Sequence, residues 1–150
     1  MLVHRFVGLS EIEALVKDGF VRPLPEHGRR CLYFFDSNEH ASPDYQLEYL
    51  SGIVGEIYLK KTEQHIYCLI NCEIEDEKFL RACGTYADPE GSFWATIGVE
   101  ELHLFGKYKK DEVKTITIYV SHHFGFKRQE DFNSIEDAYE FLKSKDAHEA

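Results

Sequence analysis

One hundred and fifty residues is about one domain's length, enough to bury about 68–70% of the surface its unfolded form exposes. With 43% hydrophobic and 14% aromatic side chains, the composition argues against long disorder. Seventeen basic against 27 acidic side chains leave a formal net charge of -10, which repels phosphate backbones and anionic membranes at long range and disfavours nucleic acid as a partner.

Leu2 to Val7 reads as a strand that Gly8 ends. Ser10, with Glu13 three residues on, has the form of a capping box, and Ile12, Leu15, Val16 and Phe20 follow at helical spacing up to Gly19 as a stop. Pro23, Pro25 and Gly28 mark a loop over residues 21–30. Cys31 to Asp36 is a compact apolar strand. Ser42 before Pro43 signals a second helix through Leu47 and Leu50, and residues 56–61 a strand. Ile66, Cys68, Ile70, Cys72 and Ile74 alternate strictly and face a core, while Tyr67, Leu69, Asn71 and Glu73 point the other way. Further strands are expected over residues 79–84, 93–105 and 113–121. A last helix opens at Ser134, with Ala138, Phe141 and Leu142 as its apolar side, and the tail after Lys145 is expected to fray. This order gives one α+β domain over residues 1–150, with a mixed or antiparallel sheet flanked by helices.

The four cysteines are Cys31, Cys68, Cys72 and Cys83, and no pair has zinc-knuckle spacing. Cys68 and Cys72 share a strand face with Cα atoms about 13 Å apart. Zinc–sulfur bonds of about 2.3 Å do not span that gap, so a core role is expected, with neither His65 nor His103 completing a metal site. His122 and His123 diverge as neighbours on a strand and read as a wet strand end. Glu73, Glu75, Asp76 and Glu77 read as a solvated edge. Residues 84–94, with Trp94, suit either a lid over a pocket or an anchor for the next strand. No apolar run approaches the roughly 20 residues of a membrane span. Without a signal peptide, the expected compartment is the reducing cytoplasm, with no disulfides.

Three segments carry a resemblance: LVHRFVGLSEIEALVKDGF at 2–20, GRRCLYFFDSNEHASPDYQLEYL at 28–50 and GVEELHLFGKYKKDEVKTITI at 98–118. In order and character they resemble the three strand-borne motifs with which ADP-ribosyltransferases line an NAD cleft, and the resemblance implies an ADP-ribosyltransferase-like fold whose mixed or antiparallel sheet is split around that cleft. The resemblance implies that His4 or Arg5 grips the nucleotide, only one of the two because they point to opposite faces. It implies further that Tyr33 and Ser37 bracket the second motif, that Tyr45 stacks on nicotinamide, and that Glu101, with Glu100 as near rival, is catalytic. NAD would be a substrate, and no metal is implied. Such a carboxylate stabilises the oxocarbenium-like charge that develops as the glycosidic bond breaks.

Two departures stand out. The middle motif reads Phe34-Phe35-Asp36-Ser37 rather than a pair of hydroxyl residues, and Val99 occupies the place two residues ahead of Glu101 where a Gln or Glu would serve transfer to protein arginine. The expected function is accordingly NAD-dependent ADP-ribosyl transfer to an unknown acceptor, or NAD binding by a degenerate relative. The alternative is a non-catalytic acidic binding protein: an inhibitor, an immunity partner or a decoy of nucleic acid. A metal-free hydrolase with His103 or His122 as base ranks last, since no Ser or Cys nucleophile stands beside them in a sharp turn.

Overall fold

The computed structural model describes residues 1–28, 30–38, 56–82, 101–122 and 125–149. Strand β1 (Leu2–Val7) leads through Gly8 into helix α1 (Leu9–Lys17). A short β2 (Phe20–Val21) and a 3-10 turn (Pro25–His27) precede β3 (Leu32–Asp36). Then come β4 (Ile57–Leu59), the long β5 (Gln64–Glu73), β6 (Phe79–Ala82), β7 (Glu101–Leu104) and β8 (Tyr108–Lys109). The chain closes with β9 (Val113–His122), β10 (Gly125–Phe132), helix α2 (Ile135–Ser144) and β11 (Ala147–Glu149).

Nine of these strands form one sheet whose main path runs β10-β9-β5-β1-β3-β7-β6, with β4 and β11 attached beside β5, and β2 and β8 make a separate ribbon. Every pairing is antiparallel. The fold is thus α+β with an antiparallel sheet, and its described strands join in a continuous sheet and a small ribbon. No described helix is long and apolar enough to cross a membrane.

The sheet has two unlike faces. Because side chains alternate along a strand, Val3, Leu32, Phe34, Ile66, Cys68, Ile70, Cys72, Leu102, Leu104, Ile116 and Ile118 share one face. They form the main core with Ile12 and Leu15 of α1 and Ile135, Ala138 and Leu142 of α2. The alternation in β5 places Ile66, Cys68, Ile70 and Cys72 wholly inside, and Ile74 follows them just past the strand end. On the other face Tyr67 and Leu69 are also buried, in a second cluster with Phe6 and Tyr119.

Burial pushes the Cys68 thiol up to about 12 and raises Cys72 as well. Both stay protonated and inert at ordinary pH, because the thiolate is the reactive form. Cys31 is only half-buried. Mild alkylation of the native protein at pH 8, read by peptide mass spectrometry, is expected to label Cys31, with Cys68 and Cys72 reacting only after unfolding. Native labelling of Cys68 at the Cys31 rate would contradict this packing.

Several local expectations change. Gly8, in extended conformation, is the N-cap of α1, with no side-chain cap. The Ser10 amide instead donates to Glu149 Oε1 at 2.7 Å, and Glu13 pairs with Lys17, so the two residues of the capping box are engaged elsewhere. Gly19 takes a left-handed φ of 79° just after the helix, where glycine carries no steric penalty, and Phe20 belongs to β2. At α2 Ser134 caps as expected, accepting from the Asp137 amide at 3.1 Å. The tail does not fray: β11 pairs with β4, Ala147 opposite Leu59. The helix expected from Ser42 lies outside the described residues.

Candidate functional site

Strands β1, β3 and β7, which carry the three motif segments, are consecutive neighbours in the sheet. His4 pairs with Asn71 on one side and Phe35 on the other, and Phe35 pairs with Glu101. Cross-strand partners project to the same face. Asn71, His4, Phe35 and Glu101 therefore form one row on the face away from α1 and α2. Strand spacing separates His4 and Glu101 by about 10 Å, with Phe35 between them.

The polarity of this row is its main feature. His4, Glu101 and Thr117 are the buried polar or charged residues among the described ones, and by pairing parity all three project to this face. Burying a polar group is costly unless it is hydrogen-bonded. His4 meets that requirement through Nδ1, 3.0 Å from Ser37 Oγ, and its ring lies against Phe35 at 5.6 Å between centroids. Ser37 is held there by its own amide, which donates to the Leu2 carbonyl at 3.0 Å. One strand further, Asn71 Nδ2 donates to Thr115 Oγ1 at 3.0 Å.

Glu101 is different. It is 5% exposed, and its Oε2 lies 3.5 Å from His103 Nε2. Its Oε1 is buried without a hydrogen-bond partner among the described residues. Leaving such an acceptor unpaired costs about 1–3 kcal/mol, more for a charged group, and groups of this kind in native proteins mark functional positions or missing donors.

A second row lies beside the first. Tyr33 pairs with His103, and His103 with Leu80. The Tyr33 and His103 rings meet edge to face at 4.9 Å, and the Phe105 ring is 6.4 Å from His103. Tyr33, Leu80 and Phe105 are 48%, 63% and 54% exposed. The buried carboxylate is thus bordered by an open ledge of large apolar side chains.

Arg5 projects to the opposite face, under α1. Its Nε donates to Glu11 Oε2 at 2.8 Å and its Nη2 to Glu11 Oε1 at 2.7 Å. The Tyr108 hydroxyl donates to the same Oε2 at 2.6 Å, and Arg5 Nη1 reaches the Tyr33 carbonyl at 3.1 Å. Burial works against the Arg5 charge, but the facing Glu11 carboxylate more than offsets it and holds the guanidinium above its ordinary value. Burial and the Glu11 charge likewise push the Tyr108 phenol well up. Arg5 thus fastens β1 to α1 and to the backbone of β3, and Tyr108 of β8 joins the cluster through Glu11.

Of the two alternatives in the first motif, His4 shares the face and row of Glu101, and Arg5 does not. The residues brought together are His4, Ser37, Tyr33 and Glu101. Glu100 and Tyr45 lie outside the described residues, as do Cys83, His123 and the segment 84–94. In the sequence alone His103 stands out only as a metal or base candidate. Its signal was its place two residues after Glu101 in a strand, which puts both on one face. The Arg5–Glu11–Tyr108 cluster went unread, since its members come from three separate elements. No family model matches the chain, and no curated protein or solved structure matches it significantly.

Proposed function

We propose that this chain has an ADP-ribosyltransferase-like fold, binds NAD as a substrate and transfers ADP-ribose to an acceptor whose class the site leaves open. The observation that carries the reading is the buried Glu101, with one carboxylate oxygen unpartnered among the described residues and in the same row as His4. That the three strands of the resembling segments lie side by side supports it further.

The residues present fit such a ligand in part. Glu101 offers a negative charge where an oxocarbenium-like centre needs one, and low exposure strengthens that interaction. His4, steadied by Ser37, is the basic group that would meet the nucleotide. Tyr33 supplies a ring beside the carboxylate, in keeping with the stacking of a flat cationic nicotinamide on an aromatic face. Arg5 takes no part, because Glu11 and a backbone carbonyl hold it on the opposite face of the sheet. When bound, NAD supplies the reactive glycosidic bond and the leaving nicotinamide.

Thermal unfolding with and without NAD tests the reading directly. Ligand at a hundredfold its dissociation constant is expected to stabilise the domain by about 2.7 kcal/mol, a rise of about 5–10 °C at this chain length, accompanied by slow release of nicotinamide. No shift and no nicotinamide at saturating NAD would overturn it. The chain would then read as a non-catalytic acidic binding protein, and the exposed Glu73, Glu75, Asp76 and Glu77 would be the first residues to neutralise in search of a protein partner.

A further inference from the structure

We propose that His103 is the positioning residue for Glu101: its Nε2 holds Oε2 of the carboxylate and leaves Oε1 directed at the substrate. This rests on the transferase reading of the same site.

The geometry divides the carboxylate in two. Oε2 lies 3.5 Å from His103 Nε2, and the side chains are 22% and 7% exposed. Oε1 has no partner among the described residues. A carboxylate anchored at one oxygen loses the freedom to rotate and presents the other in a fixed direction. Preorganisation of this kind is what makes electrostatic catalysis effective.

His103 is itself fixed. It sits between Tyr33 and Leu80 in the strand register, and the Tyr33 ring packs edge-on against it. The carboxylate that it faces is that of Glu101. Its place two residues after Glu101 in an extended strand sets the two Cα atoms about 6.7 Å apart on one face, a separation that two side chains bridge easily.

Two substitutions separate positioning from bulk. His103→Leu removes the nitrogen while filling much of the space, and His103→Gln restores an N–H donor. At saturating NAD, nicotinamide release by His103→Leu is expected to fall about tenfold with KM unchanged, the effect of a mid-range coupling between contacting side chains. His103→Gln is expected to recover most of the loss. The second arm needs no NAD. His103→Leu should lower Tm by several degrees in the wild-type background, where it strands a buried carboxylate, but by less than about 1 °C when Glu101 is already Gln.

Equal Tm losses in the two backgrounds would show that His103 does not hold Glu101, whatever the chain does to NAD. Coupled Tm values with an unchanged rate would overturn the positioning role. Coupled Tm values in a protein that leaves NAD intact would sink the transferase reading and uphold the pair.

Discussion

Replacing Glu101 by Gln is expected to reduce nicotinamide release from NAD by about a hundred- to a thousandfold, the loss of about 2.7–4 kcal/mol of transition-state stabilisation typical of removing one preorganised electrostatic group. Gln keeps the shape and one carbonyl oxygen, so the place beside Phe35 in the row is kept and NAD affinity should change little. The charge matters most in the transition state, so the loss belongs in kcat rather than KM. Stability is expected to move the other way. Glu101 is nearly inaccessible and its Oε1 has no partner among the described residues, which places a strained group in an otherwise well-satisfied sheet. A neutral amide relieves that cost, so Tm should hold or rise by a few degrees, the pattern of a residue kept for activity at the expense of stability. A variant that loses Tm and activity together would make Glu101 a packing residue. Unchanged turnover would move the chemistry elsewhere.

How far this site was legible in the sequence depends on what kind of information each part needed. The alternation of β5 and the Ser134 cap are local, and both could be read from neighbouring residues. That His4 and Arg5 face opposite ways was also local, since it follows from strand geometry alone. Which of them shares the face of Glu101 depends on the strand order β1-β3-β7 and on the register His4–Phe35–Glu101. These are long-range pairings, and no spacing in the chain encodes them. Strand β10 escaped notice because Lys127, Arg128, Glu130 and Asp131 interrupt any apolar pattern; its identity comes from backbone pairing with β9. Strand β11 is only three residues long and gains its place from β4. The capping box at Ser10 failed for a related reason, because Glu149, which takes the Ser10 amide, lies almost the whole chain away.

Removing the Glu11 carboxylate is expected to cause the largest loss of stability of any single change outside the main core. Arg5 and Glu11 are joined by two hydrogen bonds, with side chains 16% and 14% exposed. Glu11→Ala would leave a largely covered guanidinium facing the Tyr108 hydroxyl, with the Tyr33 carbonyl as its remaining named acceptor. Breaking one side of a buried pair typically costs about 3–5 kcal/mol, a fall in Tm of about 6–20 °C for a chain of this length. The paired replacement Arg5→Met with Glu11→Leu removes both charges together and should restore most of that loss, since apolar residues of similar volume often substitute for a buried ion pair with little penalty. The double variant then asks a functional question that the single variant cannot. It is folded but lacks the first-motif arginine. If Arg5 only fastens β1 to α1, the NAD-induced rise in Tm survives in the double variant and disappears in a His4→Ala variant that is itself folded. The reverse outcome, a stable double variant blind to NAD, would return the nucleotide grip to Arg5 and require it to leave Glu11 when ligand binds.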